Sequence, residues 1–341
     1  MIAAAKTSSL VIVGLIALSA VAPESMAGER VTLDTFIRAE TDTYFQKKID
    51  GAGGIGILKH DRAPTPIDNQ PIIRMNRDTL YSTAVFDLTD PVTITTPETG
   101  DRFVSMVVTN EDHYIKLVAY EAGDYTLTEE KLGTRYAQVV FRTFVNPNVP
   151  EDVRAANDFQ NRIAVTQNSP GTFSIPDWDQ DSLSKVREAI LALGPYVGDS
   201  SRMFGDVSET EPVRHMIGTA GGFGGNRTQD AIYLNITPEK ADGQTPYVLT
   251  VKDVPVDGFW SISLYNAEGV FEKNEYAANS VNNLTAIKND DGSVTVHFGG
   301  DPNMVNFLYI MKGWNYVVRL YRPRREIQNG SWKFPDAVVV N

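Results

Sequence analysis

Two arginines occupy similar positions near the ends of the two halves of this 341-residue chain. Arg142 and Arg319 each lie two residues after a valine and two residues before an aromatic ring. Residues two apart share one face of a strand, so each guanidinium faces the same way as apolar neighbours. A half-buried guanidinium needs a partner, because leaving it unpaired costs several kcal/mol. Two kinds of partner stay open: an acid such as Asp78 or Asp87, or a carboxylate, sulfate or phosphate ligand.

A second polar group lies where the first strand-rich stretch begins. Asn76, Arg77 and Asp78 are consecutive, and Tyr81 follows within about one turn. We predict that Asp78 acts as a general base and Tyr81 as an acid or oxyanion donor, with Asn76 and Arg77 contacting the ligand. The alternative is a network that only caps a turn.

A third candidate is the triplet Glu111-Asp112-His113, which follows another predicted strand. We take His113 as a further acid or base. Glu111 and His113 can share a side of an extended chain and bind a metal with a distant His60 or His215. A solvated hairpin tip explains the triplet as well. We therefore predict no metal site and leave the cofactor unspecified.

The fourth candidate is the polar face of the stretch Phe259–Asn266. Small hydroxyls flanked by aromatic rings suit a ligand cavity, so we predict that Ser261, Tyr265 and Asn266 contact the ligand together with Tyr321. Packing of this face against neighbouring helices is the alternative. Sequence signatures of serine hydrolases and zinc proteases are missing, and the chain has no Cys.

These residues need strands to position them, and the chain contains the same strand pattern twice. Asp101–Asn110 and Asp257–Asn266 match at Asp, Phe, Ser and Asn with one constant offset. Each copy begins at a turn and then alternates, as half-buried strands do. Upstream, Thr83–Leu88 is echoed by Ala231–Ile236. A duplicated strand module therefore predicts that Ser105 and Ser261 are equivalent.

The remaining pattern predicts an α+β, mainly β fold. An N-terminal helix and a first β domain span 28–149, a helical insert with a Gly-rich loop spans 150–225, and a second β domain spans 226–341. We expect two antiparallel β-sandwich or jelly-roll-like domains, related by the internal repeat and joined by the helical insert. Residues 60–78 are polar and Pro-rich and are predicted to form a long surface connection.

Residues 1–27 have the pattern of a secretory signal peptide: Lys6, then an apolar run, then Ser25-Met26-Ala27 as the cleavage motif. The expected location is the periplasm or the exterior of a bacterium, without membrane insertion after the leader is removed. The formal net charge of −12 argues against nucleic acid as a partner. A polar or anionic small molecule remains, and a homo-oligomer stays open.

Several runs resemble a bacterial family of exported two-part proteins of unknown function, DUF1254 followed by DUF1214. They include Ile73–Ser82, Arg319–Pro323 and Gly330–Pro335. The sequence departs from the family at Asn306-Phe307-Leu308-Tyr309, where the family often has Asn-Trp-Leu-Pro. The resemblance implies a β-rich exported protein and supplies no catalytic residues.

Function is therefore predicted from the side chains, and two classes compete. The first is a hydrolase of small anionic or ester substrates at the pocket between the β domains. The second is a non-catalytic periplasmic module that binds a ligand or a partner. The sequence favours the hydrolase narrowly and leaves open whether the protein is an enzyme.

Overall fold

The computed structural model describes residues 28–70 and 73–340, so the predicted signal peptide lies outside the described residues. The first helix is capped by Gly53, whose φ of 87° is left-handed, and a later helix begins at Pro150. The α-helices are α1 (Phe36–Ala52), α2 (Glu129–Leu132), α3 (Pro150–Arg162), α4 (Gln180–Leu191), α5 (Pro212–Gly221) and α6 (Arg325–Gln328).

Strands dominate both halves, in the order that alternation predicts. The first half contains β1 (Lys59–His60), β2 (Thr79–Asp87), β3 (Val92–Thr96), β4 (Val104–Asn110), β5 (Ile115–Ala119), β6 (Gly123–Leu127), β7 (Tyr136–Phe144) and β8 (Ala164–Thr166). The second half contains β9 (Ala231–Ile236), β10 (Tyr247–Val251), β11 (Trp260–Tyr265), β12 (Ser280–Asn282), β13 (Val294–Phe298), β14 (Phe307–Leu308), β15 (Asn315–Tyr321) and β16 (Val338–Val339).

Each half is a sandwich of two sheets around its own core. In the first half, the sheet β1-β2-β7-β4-β5 covers the sheet β6-β3-β8. In the second, β12-β11-β15-β9 covers β14-β13-β10-β16. The buried side chains between the sheets include Phe86, Met106 and Phe141 in one core, and Ile262, Phe298 and Val318 in the other. Among the described strands, neighbouring strands pair antiparallel except β13 with β14.

The two halves have the same strand order, which confirms the internal repeat and the mainly β fold class. The order β2-β7-β4-β5 in the first half corresponds to β9-β15-β11-β12 in the second. Ser105 pairs with Arg142, and Ser261 pairs with Arg319, so Ser105 and Ser261 are equivalent. The predicted echo of the first strand was wrong by four residues: Thr79, not Thr83, corresponds to Ala231. An even shift keeps each side chain on its face, so alternation alone did not reveal it.

Helices form a separate layer. α1, α4 and α5 share a buried apolar cluster that includes Phe36, Leu183 and Ile217. α3 instead packs on the first sandwich through Phe159, and β8 pairs with β3. Residues at the start of the predicted helical insert thus contact the first β half. Within 28–70 and 73–340, no helix combines the length and the apolar character that crossing a bilayer requires.

Candidate functional site

The strand register places three polar side chains in a row on the outer face of the first sandwich. Tyr81 lies opposite Arg142, and Arg142 lies opposite Ser105. The second sandwich has the equivalent row, with Tyr233 opposite Arg319 and Arg319 opposite Ser261. Directly paired residues point to one side of a sheet, so each row is a continuous polar band. Neither band belongs to a sandwich core.

The two bands meet across aromatic rings that join the halves. Phe259 of the second half stacks on Phe144 of the first, with ring centroids 4.0 Å apart, and it contacts Phe103 at 5.2 Å. The Tyr321 ring also stacks on Phe259, with ring centroids 4.3 Å apart. We call this junction the seam. Its polar residues, the seam cluster, are Asp78, Tyr81, Arg142, Tyr233, Ser261, Arg319 and Tyr321.

Arg142 is 7% exposed and only partly partnered. Its Nη2 donates to the Gly224 carbonyl at 2.8 Å, whereas Nη1 is buried and has no hydrogen-bond partner among the described residues. The guanidinium lies 5.7 Å from the centre of the Tyr81 ring. Tyr81, Tyr233 and Tyr321 surround it closely enough to act on its charge. Nη1 of this buried cation therefore has no acceptor within hydrogen-bond distance in the described chain, although the Tyr81 side chain lies close enough to interact with the guanidinium.

Both terminal nitrogens of Arg319, the repeat equivalent of Arg142, donate hydrogen bonds within the protein. Its Nη1 donates to the Ser263 hydroxyl at 2.9 Å, and its Nη2 donates to the Tyr265 hydroxyl at 2.7 Å and to the Arg74 carbonyl at 2.9 Å. These partners are neutral. The duplication therefore diverged: one arginine anchors the connection before β2, and the other keeps a free edge.

Asp78 and Ser261 carry further unpartnered atoms in the seam. Asp78 is fully buried, and its Oδ1 accepts from Asn282 Nδ2 at 2.9 Å, which joins the two halves. Its Oδ2 and the Ser261 hydroxyl have no hydrogen-bond partner within the described chain. Asn76 donates to the Tyr321 hydroxyl at 3.2 Å. The predicted surface connection over 60–78 is thus wrong at its end, because Asn76 and Asp78 are buried between the halves.

The predicted ion pair between these arginines and Asp78 or Asp87 does not form. Asp87 is bound by Arg135, with Nη2 and Oδ2 at 2.7 Å, and its pKa is held low although burial alone would raise it. Throughout the described residues, no carboxylate forms an ion pair with Arg142 or Arg319. The sequence leaves two kinds of partner open for these arginines, an acid of the protein or an anionic ligand. The acids of the described chain do not form the ion pair.

The ring environment keeps both guanidiniums charged. Burial lowers the pKa of Arg142, but the surrounding phenols outweigh burial and raise it above its ordinary value. For Arg319, burial is likewise outweighed by Tyr265, Tyr321 and Asp78. Burial also raises the pKa of Tyr321 well above its ordinary value, so this phenol stays neutral and its hydroxyl can donate a hydrogen bond to an acceptor.

Comparison with known families agrees with the two-part organisation. Residues 56–167 match the family described as "Protein of unknown function (DUF1254)", and residues 231–325 match "Protein of unknown function (DUF1214)". The chain thus carries a DUF1254 match followed by a DUF1214 match. Both matches contain members of the seam cluster, the first Arg142 and the second Arg319. No curated protein matches the chain.

Two solved structures resemble this chain. The VPA0106 protein from Vibrio parahaemolyticus has 16% identity and a TM-score of 0.70, covering 90% of this chain and 96% of its own. An uncharacterised protein from Burkholderia cenocepacia has 15% identity and a TM-score of 0.47, covering 90% and 86%. At this identity the first likeness shows the fold alone.

His113 lies beside the seam, in the layer between α5 and β4. Gly224 N–H donates to its Nε2 at 3.0 Å, so its Nδ1 carries the proton toward the Thr219 hydroxyl at 2.9 Å. Burial, and then the nearby His215, lower its pKa to about 3. With both nitrogens engaged and the ring neutral, the geometry favours a structural role; its predicted acid or base role stays a prediction.

The other predicted ligand contacts serve the protein itself. Arg77 donates to the Thr65 carbonyl, and the Tyr265 hydroxyl donates to the Met75 carbonyl at 2.7 Å. Asn266 caps the turn after β11, accepting from Val270 N–H at 3.1 Å. Asn110 caps the equivalent turn after β4 in the same way. The structure therefore brings Asp78, Tyr81, Arg142, Ser261 and Tyr321 together and leaves Asn266 at a turn.

Sequence reasoning missed three seam residues. Tyr233 is the repeat equivalent of Tyr81, and correct alignment of the first strands would have found it. Asn226 Nδ2 donates to the Tyr233 hydroxyl at 2.5 Å, and Gly224 caps Arg142. Both lie in the Gly-rich loop after α5, whose place beside the seam depends on long-range packing. No local signal indicated it.

Two surface clefts of the described chain lie away from the seam. One of about 150 Å³ is lined by residues that include Tyr276, Phe307 and Tyr309. The other, of about 130 Å³, is lined by residues that include Lys47 and Lys59. Within 28–70 and 73–340, no group of three or more His, Cys, Asp or Glu side chains could hold a metal ion.

Proposed function

We propose that this protein binds a small anion in the seam, with Arg142 as the main anchor. One observation carries the proposal: a buried guanidinium keeps one edge unpartnered, and no carboxylate in the described chain pairs with it. A buried charge without a counter-charge is costly, so an anionic ligand would stabilise the folded protein.

The neighbouring groups suit an oxyanion. The Tyr81, Tyr233 and Tyr321 side chains lie around Arg142, and phenol hydroxyls can donate to ligand oxygens. Tyr81 and Tyr233 are half-buried, which gives the cluster contact with solvent. The rings of Phe144, Phe259 and Tyr321 stack on one another in the same seam, so we expect a compact anion such as nitrate, formate or sulfate.

An anion titration tests this proposal. The protein is placed in a buffer whose only anion is a bulky sulfonate, and unfolding temperature and heat of binding are measured with formate, nitrate, perchlorate and sulfate. We expect saturable stabilisation by at least one of them, following RT ln(1 + [L]/Kd). Arg142→Met should abolish it. Arg324→Met is the matched control, since Arg324 is an exposed partner of Asp257.

If no anion stabilises the wild-type protein saturably, or if Arg142→Met retains the full effect, the seam is not an anion site. Arg324→Met loses only a surface ion pair, which contributes at most about 1 kcal/mol. It should therefore keep the anion response even if its unfolding temperature falls slightly.

Hydrolysis of small anionic or ester substrates is a second candidate. Asp78 Oδ2 is unpartnered in the same seam, which leaves a carboxylate oxygen for general-base work. Acetate, sulfate and phosphate esters should then turn over, and Asp78→Asn should lower kcat by at least about 100-fold while the protein stays folded. Anion binding without turnover would leave the non-catalytic binding module.

We also propose that the protein is exported to the periplasm or beyond, on the pattern in residues 1–27. A small anion that enters the periplasm by diffusion would be available to it there.

A further inference from the structure

The charges buried in the seam do not cancel. Arg142 and Arg319 are 7% and 4% exposed, and Asp78 is fully buried. Asp78 lies close enough to Arg319 to act on its charge. Among the described residues of the seam cluster, these two guanidiniums and one carboxylate leave one positive charge uncompensated.

Other charged side chains near the seam do not change this count. Arg74 and Arg77 are half-buried at its rim, where solvent screens them. Arg74 donates to the Asn315 side-chain oxygen at 2.9 Å, and Arg77 donates to a backbone carbonyl. Asp78 also acts on the charge of Arg77, but Arg77 lies at the rim, where solvent weakens this interaction. The tyrosines of the cluster contribute hydroxyl donors.

The geometry around Asp78 also opposes a second negative charge. Asn282 donates a hydrogen bond to Asp78 Oδ1 and so fixes the carboxylate. The Asp78 N–H donates to Asn76 Oδ1 at 2.8 Å, which holds the backbone of Asp78 in place. Asn76 in turn donates to Tyr321, one of the phenols around Arg142. The carboxylate is therefore fixed inside the seam, where Asn76 links its backbone to Tyr321 and Asn282 holds its Oδ1.

We propose that the seam selects singly charged anions and that Asp78 is the residue that sets this selectivity. The inference rests on the proposed anion site. A monoanion brings the buried charge to zero. A dianion leaves one negative charge uncompensated and repelled by Asp78.

Perchlorate and sulfate provide the probe, because both are tetrahedral oxyanions of similar size and differ by one charge. Dissociation constants are measured calorimetrically for the full mature chain in the sulfonate buffer, with Arg142→Met reporting non-specific effects. We expect wild type to bind perchlorate at least about tenfold more tightly than sulfate. Asp78→Asn, which removes the charge and keeps the shape, should reverse that ratio. Asp257→Asn, at an exposed ion pair, should leave it unchanged.

The outcomes separate the two proposals. If wild type binds sulfate as tightly as perchlorate, monoanion selectivity is overturned and the anion site stands. A folded Asp78→Asn variant that keeps the wild-type ratio overturns the role of Asp78. If neither anion binds, both proposals fail. Should Asp78→Asn not fold, the wild-type ratio and the charge-conserving Asp78→Glu, expected to keep the perchlorate preference, still decide.

Discussion

Arg142 is a buried residue whose hydrogen bonds within the protein are incomplete. Its free Nη1 edge has no partner in the described chain, while its repeat equivalent Arg319 is bonded throughout. The two arose in equivalent positions of one strand module, so the difference comes from what each half packs against.

Replacing Arg142 should stabilise the protein in the absence of small anions. Arg142→Met fills similar volume and removes an uncompensated buried charge, so we expect the free energy of unfolding to rise by about 1–3 kcal/mol. Urea denaturation in the sulfonate buffer measures this. Saturating anion should then narrow the gap between the variants.

Arg135→Met is the contrasting variant. Arg135 balances the buried Asp87 carboxylate, so its loss leaves an unpaired acid and should destabilise by about 2–4 kcal/mol. Equal effects of the two substitutions would contradict the assignment of Arg142 as an unpaired charge.

Asp42 is a second buried group with a consequence for stability. It lies on α1, its Oδ2 accepts from Trp178 Nε1 at 2.9 Å, and Glu111 lies nearby. Burial raises its pKa from the ordinary 3.8 to about 7, partly opposed by the Trp178 bond. A carboxyl that binds its proton more tightly when folded supports folding at low pH, and this contribution is lost as pH rises through 7.

We therefore expect the free energy of unfolding to fall by roughly 2 kcal/mol between pH 5 and pH 8. Asp42→Asn should flatten this slope and make the protein more stable than wild type at pH 8, as measured by urea denaturation at each pH. Asp34→Asn, at an exposed residue before α1, should keep the wild-type slope. A steep slope that persists in Asp42→Asn would place the titrating group elsewhere.

At the scale of elements, the duplicated turns before β4 and β11 use glycine for different reasons. Gly100 has a φ of 58° and open space around it. Gly258 does not have a positive φ. A Cβ there would lie 2.7 Å from the Tyr321 carbonyl oxygen and 3.0 Å from the Phe103 ring. Glycine at 258 thus lets the halves approach.

Gly258→Ala should lower the free energy of unfolding by about 1–3 kcal/mol, because the methyl group overpacks the seam. Thermal and urea unfolding measure the loss. Gly100→Asn should stay within about 0.5 kcal/mol, since asparagine tolerates a left-handed φ and meets no neighbour. Similar losses in both variants would show that backbone freedom, not close packing, matters at 258.

At the scale of the whole molecule, export makes a prediction about the mature chain. Cleavage after Ala27 would leave Gly28 as the first residue, directly before the segment that pairs with Trp178. Mass spectrometry of the protein from the periplasm of an expressing bacterium should find this terminus. Ala27→Arg should block processing, and an intact leader on periplasmic wild-type protein would contradict the proposal.

The strands, the repeat and the shared face of Arg142 and its neighbours could be predicted from sequence because alternation is local. A period-two pattern determines which side chains point to the same face of a strand, whatever that strand packs against. The Asp-Phe-Ser-Asn matches then placed Ser105 and Ser261 in equivalent positions, and the sheet pairing confirmed them.

Only the tertiary structure decided which partners those side chains have. Contacts between residues far apart in the chain decide three of these features. They pair Asp87 with Arg135, bury Asn76 and Asp78, and bring the Gly224 carbonyl to Arg142. Such contacts follow from how sandwiches, helices and loops pack, and local periodicity carries no record of that packing. The sequence determined the polar face. The junction of the two halves decided that Arg142 has no carboxylate partner among the described residues.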